Sequence, residues 1–384
     1  MYGQVSYKRQ FLFGLFFIIT LLLIVEGIAR THEWIYPNCD MVNSESLKNV
    51  NLFYQRDMCL DFQKLHRDNF NGYQLNEANQ HLSTININSQ GFRGPEFSPI
   101  KDESTYRVFL IGGSTVFGTG ATSDSTTIPG LLQKKFEEQR PDLKIEIINA
   151  GVSAANSNTE NKLILDKIVV YDPDLLIFYD GWADAWHRNI ILSQIDPLHT
   201  EKAITASKES SGIINFFQHE LKIYRTPIVI YKNFFWDKTT HYQGDVESQD
   251  IIKIAEKISS NWKKNKSEIC QLGLDKGFKT IVILQPILGT GNKPYSKGET
   301  GLLPKTQFDI ETVYVLNKLE KPLNELNNIC DKIIDIRNIF DNVSHPIYFD
   351  KGHMNDYGNN IIADNIFESI KSHIPKNTDS ILND

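Results

Sequence analysis

The apolar run Val108-Phe109-Leu110 leads straight into Ile111-Gly112-Gly113-Ser114-Thr115. That order sets a serine on a tight turn leaving a buried strand, with glycines that let the backbone bend and leave room above the hydroxyl for an incoming carbonyl. A glycine-rich turn after a strand also cradles nucleotide phosphates, and Gly113 and Gly118 have the separation of such a loop. Here Thr119 and Gly120 follow, so the lysine and hydroxyl that would hold phosphates and metal are missing. Near the other end, Asp350-Lys351-Gly352-His353 places acid and base three residues apart. On a turn this spacing brings both side chains to one face, where the carboxylate holds the imidazole in the tautomer that takes a proton from serine. Either motif alone is weak. With 10 histidines and 47 acidic residues in the chain, an isolated Asp-x-x-His arises readily by chance, and a strand-end turn needs no function.

Two further segments fall between these motifs. Asn149-Ala150-Gly151 ends the strand-like stretch from Lys144 to Ile148, and Asp180-Gly181-Trp182-Ala183-Asp184 ends the stretch from Leu175 to Tyr179. Serine, glycine, a Gly-x-x-Asp block and Asp-x-x-His in this order resemble the SGNH hydrolases, also called the GDSL esterase/lipase family, over roughly residues 105–370. Upstream, Asn88-Ser89-Gln90-Gly91-Phe92-Arg93-Gly94 is similar to the lead-in of membrane-anchored bacterial and archaeal members. The resemblance implies a flavodoxin-like fold, a three-layer α/β/α sandwich on a five-stranded parallel sheet, acting without a cofactor or metal. It makes Ser114 the nucleophile, His353 the base and Asp350 its orienting partner, and it aims the backbone N–H groups of Ser114 and Gly151 at the developing oxyanion. The third block departs from the pattern. Where the family has Gly-x-Asn-Asp, this chain has Gly181, Ala183 and Asp184, so the asparagine donor is replaced by a methyl group. That leaves a weaker enzyme, an enzyme whose third donor comes from elsewhere, or a protein that binds without turnover.

The pattern that must position these groups runs through the middle of the chain. From Tyr106, short β-branched runs alternate with amphipathic stretches, as in βαβ units around a parallel sheet. Strands are expected at Val108–Ile111, Ile145–Asn149, Leu175–Tyr179, Thr280–Leu284 and Ile333–Ile336, and helices at 127–139, 157–170, 249–276, 311–329 and 355–371. Ser114, Gly151 and the Gly181 block then fall just past strand carboxyl ends, where open α/β sheets bind ligands. Between about 185 and 248 the rhythm lapses into Trp186, His187, Phe216, Phe217, Tyr224, Tyr231, Phe234, Phe235 and Trp236, which reads as an insertion over the active-site edge. Its aromatics either line an acyl or sugar pocket or hold the insertion to the core.

The 384 residues, 41% hydrophobic, suffice for one large core, and a net charge of −7 without a basic block argues against a nucleic-acid surface. Lys8 and Arg9 precede an apolar run, residues 11–29, whose helix would reach about 28 Å, close to the roughly 30 Å hydrocarbon core. The positive flank puts the N-terminus in the cytoplasm and the rest across the membrane. Gly27 and Ala29 also have the spacing of a signal-peptidase site, so the run reads as an anchor or as a cleaved leader, and its length favours the anchor. Cys39, Cys59, Cys270 and Cys330 suit an exported protein, either as buried thiols or as two disulfides with three possible connectivities, of which sequential pairing is the simplest. The expected organisation is an anchor at 1–30, a membrane-proximal extension at 31–104, the hydrolase-like domain at 105–374 and a tail at 375–384. The expected function is a serine esterase removing O-acyl groups, such as acetyl, from a surface glycan or lipid. An O-acyltransferase on an extracytoplasmic polysaccharide and a catalytically weak carbohydrate-binding or scaffold protein are the alternatives.

Overall fold

Parallel strands buried on both faces need near-continuous apolar runs, and Tyr106–Gly112 supplies one in which every residue is buried. The computed structural model describes residues 6–37, 39–66, 76–195 and 248–374. The later aromatics of the expected insertion, Phe216 to Trp236, and the tail lie outside the described residues. In chain order the elements are α1 (Tyr7–Ile35), α2 (Leu52–His66), β1 (Gln80–His81), β2 (Asn86–Ile87), β3 (Tyr106–Gly112), α3 (Ser114–Phe117) and α4 (Ile128–Gln139). There follow β4 (Ile145–Gly151), α5 (Ser157–Leu163), β5 (Leu175–Asp180), α6 (Trp182–Trp186) and α7 (Arg188–Ile195). The chain continues through α8 (Gln249–Lys276), β6 (Lys279–Leu284), α9 (Lys297–Leu302), α10 (Gln307–Lys318), α11 (Glu320–Glu325), β7 (Lys332–Asp335) and α12 (Asp356–Ile370).

Strands β3 to β7 form one all-parallel sheet in the order β4-β3-β5-β6-β7, the doubly wound arrangement expected from the sequence. Strand side chains alternate between its faces. Phe109, Ile111, Phe178 and Val282 meet Ile258, Trp262 and Ile269 of α8 on one side. Val108, Leu110, Ile177 and Ile283 meet Leu132 and Phe136 of α4 and Ile366 and Phe367 of α12 on the other. Helix α8 shows why these residues choose a helix. Its buried residues Ile251, Ala255, Ile258, Trp262, Ile269 and Cys270 recur at three- and four-residue spacing, Ser248 caps its start, and Gly277 ends it in the left-handed conformation.

Strand β4 is an edge, and its outward backbone groups are covered from within. Gln133 accepts from the Ile147 N–H at 2.7 Å and donates to the Ile145 carbonyl at 3.1 Å, blunting an edge that could otherwise recruit another strand. The expected helix over 311–329 is divided, because Pro322 has no N–H to give and its ring crowds the preceding turn. The two disulfides pair sequentially, Cys39 with Cys59 and Cys270 with Cys330. Helix α1, 29 residues, is long and apolar enough to cross a bilayer by length and composition, and none of its most apolar window is buried. Its last turn meets the following segment where the Arg56 guanidinium lies 4.5 Å from the Trp34 ring.

At the carboxyl end of the sheet, β3 and β4 close on each other through paired glycines, Gly112 opposite Gly151. A Cβ on Gly151 would fall 2.0 Å from the Phe117 nitrogen, and a backbone atom cannot move aside like a side-chain tip. Gly151→Ala should therefore lower stability by at least about 1–3 kcal/mol, the range for overpacking a well-filled interior, read from the urea midpoint. An unchanged midpoint would mean that this approach is looser than described.

Candidate active site

The turn after β3 delivers Ser114 as the first residue of α3, a single turn of helix ended by Gly118 in the left-handed conformation (φ 96°). Two buried groups fix this short element. Arg93 donates to the Phe117 and Gly118 carbonyls at 3.2 and 2.9 Å and pairs with Asp124 at 2.7 Å, while Asn149 Nδ2 donates to the Phe117 carbonyl at 3.2 Å. Arg93 lies in the glycine-flanked lead-in, to which the sequence assigned no chemistry. Its structural work is to satisfy carbonyls that the end of so short a helix leaves open.

The opposite wall is the loop between Tyr348 and Met354, whose ends bridge in antiparallel fashion. His353 Nε2 stands 2.6 Å from Ser114 Oγ, and Nδ1 stands 2.5 Å from Asp350 Oδ2. Asp350 Oδ1 also accepts the N–H groups of Gly352 and His353 at 2.9 and 2.7 Å. Burial alone would raise the Asp350 carboxyl, but the facing His353 and these N–H donors outweigh it, and the net direction is down. An ionised carboxylate only accepts, so Nδ1 carries the proton and Nε2 is left with a lone pair toward the serine hydroxyl. The imidazole is held on two sides, by Phe349 stacked at 5.8 Å and 11° and by Trp182 edge-on at 4.9 Å. The Trp182 ring also explains Gly352, where a Cβ would come within 2.4 Å of it.

The expected oxyanion donors divide. The Ser114 N–H opens α3, outside the helix's own hydrogen bonds. The Gly151 expectation fails: its N–H is given to Asn149 Oδ1 at 3.0 Å, because the asparagine folds back on its own strand end. The chain next turns at Val152–Ala155, with the Ala155 N–H bonded to the Val152 carbonyl and Ala154 in the left-handed region at φ 62°. The Ala155 carbonyl lies 3.4 Å, and the Ala183 Cβ 3.8 Å, from where a Cβ on Gly113 would sit. This turn and the Gly181 block thus flank Gly113, the residue before Ser114, and Ala183 brings a methyl group toward it. Gly181 takes φ 109° under Leu284 and Leu316, leaving no room for a side chain.

Asp184, the last residue of that block, points away from the serine into a buried ionic cluster. It accepts from the Ser157 N–H at 3.0 Å and the Ser157 hydroxyl at 2.5 Å, tying α6 to the start of α5. Beside it, Lys266 pairs with Asp180 and, at 2.5 Å, with Glu160, all three fully buried or nearly so. The ammonium also lies 4.1 Å from the Phe178 ring, and Trp262 Nε1 donates to Asp180 at 3.0 Å. Burial and the neighbouring Asp180 charge push Asp184 up to about 7 and Glu160 well above the usual carboxylate range. Burial would lower Lys266, but the carboxylates around it prevail and hold it charged. Sequence reading missed Lys266 and Glu160, although a signal was present: Lys266 is four residues after Trp262 and three before Ile269, a lysine on the apolar stripe of α8.

No protein-family model matches the chain, and no curated protein does. Solved structures similar to it include the acetyl xylan esterase AlAXEase, at 15% identity over 69% of this chain and 99% of that one, with a TM-score of 0.39. Another is LAE5, an alpha/beta hydrolase enzyme from the metagenome of Lake Arreo, Spain, at 12% identity over 69% and 95%, with a TM-score of 0.41. A third is Axe2, an acetylxylan esterase from Geobacillus stearothermophilus, at 11% identity over 71% and 96%, with a TM-score of 0.38.

The raised Asp184 carboxyl sets a direction for stability. Between its ordinary value of 3.8 and about 7 the folded protein keeps a proton that the unfolded chain releases, so the contribution of this group falls as pH rises through that window. Asp184→Asn removes the titration while keeping the shape. The urea midpoint of the variant, relative to wild type, should rise between about pH 5 and about pH 8. A difference that stays constant would show that Asp184 does not titrate there.

Proposed function

We propose that the chain is a serine esterase of the SGNH hydrolase kind, held at a membrane by α1 with its catalytic domain extracytoplasmic, and that it removes O-acyl groups from a surface glycan or lipid. One observation carries the reading: the uninterrupted chain Ser114–His353–Asp350, with contacts of 2.6 and 2.5 Å. A binding protein or scaffold has no use for a serine hydroxyl aimed at the lone pair of an imidazole whose other nitrogen is fixed by an ionised carboxylate.

In this reading Ser114 Oγ bonds to the ester carbonyl carbon while its proton passes to His353 Nε2. Asp350 stabilises the imidazolium through Nδ1–H without taking the proton. The carbonyl electrons move to oxygen, where the Ser114 N–H faces the new charge. The intermediate collapses by breaking the bond to the alkoxide, which leaves with the imidazolium proton. Water activated by the same base then releases the acyl group and restores the serine.

Ser114→Ala should abolish both hydrolysis of short p-nitrophenyl esters and labelling by a fluorophosphonate, with the urea midpoint unchanged, because the hydroxyl has a chemical job and no packing one. Activity above a few percent of wild type would end the nucleophile assignment. Ala183→Asn adds a side-chain amide where the block faces Gly113. Loss of one oxyanion donor typically costs about a hundred- to a thousandfold, so regaining an imperfect one should raise kcat roughly tenfold with little change in KM. A fall in kcat would mean that another group already occupies that position and the amide collides with it.

A further inference from the structure

The extension between α1 and the sheet holds none of the candidate site residues, yet it reaches the catalytic base. Met41, Leu47, Met58 and Cys59, closed into one knot by the Cys39–Cys59 disulfide, form a buried cluster whose fifth member is Phe349. Phe349 is the residue stacked on the His353 imidazole. Its ring also occupies the space a Cβ on Gly120 would need, so it touches the loop that follows the nucleophile as well.

The same segment holds both ends of the base loop. After His353, Asn355 Nδ2 donates to the Ser46 carbonyl at 2.8 Å, at the start of α12. Before Asp350 the link runs through α9. Glu45 accepts from Ser296 Oγ at 2.8 Å and from the Gly298 N–H at 2.6 Å. From that helix Glu299, buried and paired with Lys293 at 2.8 Å, accepts the N–H groups of Ile347 and Tyr348 at 2.9 and 3.2 Å. The loop bearing Asp350 and His353 is therefore held at its exit and its aromatic centre by one disulfide-closed piece of chain, and at its entry by α9, which that piece binds in turn.

We propose that residues 39–59 are a working wall of the active site and that Phe349 is a positioning residue, transmitting the rigidity of the disulfide knot to His353. The proposal rests on the reading of His353 as the base. Without the knot, Phe349 loses its backing, the imidazole is freed to turn away from Ser114, and productive geometry becomes a minority of the population. A nucleophile and base must be aligned when the bond forms, so the loss falls on turnover rather than on substrate affinity.

The test compares two double variants of the full-length protein in detergent, Cys39→Ser/Cys59→Ser and Cys270→Ser/Cys330→Ser, together with Phe349→Leu. The first should lower kcat on a short p-nitrophenyl ester, and the rate of fluorophosphonate labelling, by about tenfold or more with KM within about twofold, and Phe349→Leu should lower kcat in the same manner. Hydrogen exchange over residues 346–355 should accelerate in the first variant. The second, which opens the disulfide beside α8, should leave exchange there unchanged and kcat near wild type. Wild-type kcat and unchanged exchange in Cys39→Ser/Cys59→Ser would overturn the proposal, as would equal losses in both double variants. If wild type itself is not labelled at Ser114, the esterase reading fails, and the exchange comparison still decides whether the knot holds the loop.

Discussion

A single lysine ammonium in the interior sets the terms for the carboxyl end of the sheet. Lys266 is fully buried, with three carboxylates nearby, two of them in direct contact. Removing one partner from a buried ion pair typically costs about 3–5 kcal/mol, because the charge left behind has no solvent to turn to. Helix α8, β5 and α5 are thereby committed to one relative placement, and Asp184 extends it through Ser157 to the turn that follows β4. The two segments flanking Gly113, the Val152–Ala155 turn and the Gly181 block, are both fastened to this interior. Their placement beside Ser114 is secured from beneath, by buried charges.

From above, the placement of Ser114 depends on close backbone approach. Gly112 and Gly151 let β3, β4 and α3 converge to distances a side chain would forbid, and Arg93 and Asn149 then bind the carbonyls exposed by so short a helix. Ala154 departs from this economy, an alanine in left-handed backbone where a Cβ costs about 1–2 kcal/mol. Strain of this size persists only where the surroundings dictate it. The turn is pinned on one side by the Val152 N–H given to the Gly112 carbonyl, and on the other by Asn156 capping α5.

Much of this was legible in the residues themselves. The five strands lie within a few residues of their apolar runs, and Ser114, Asp350 and His353, found by type and spacing, meet although 239 residues separate the serine from the histidine. What stayed hidden depends on partners distant in sequence. Gly151 was given a donor's role because its own asparagine, folding back, cannot be seen in a linear motif. Lys266 stands on the apolar stripe of α8, but the carboxylates that pair with it lie on other elements, at Glu160 and Asp180. The extension seemed without chemistry because Phe349, its partner, lies far along the chain in what reads as an ordinary aromatic before an acidic residue. Periodicity reports which face of an element is buried, and it is silent about what buries it.

The contact between the extension and the base loop also has a consequence in time. Ser46 and Asn355 are 309 residues apart and become neighbours. At roughly 5–20 residues per second, a ribosome needs about 15–60 s to make the chain between them. Through that interval the first half of the wall exists and the loop it supports does not. The Cys39–Cys59 disulfide spans only 20 residues and can close early, keeping Met41, Leu47 and Met58 gathered around a place that only Phe349 will fill. Ser114, too, is made long before His353. A chain made in this order brings His353 to Ser114 only after the loop that carries His353 has been synthesised and has docked on a segment made long before it.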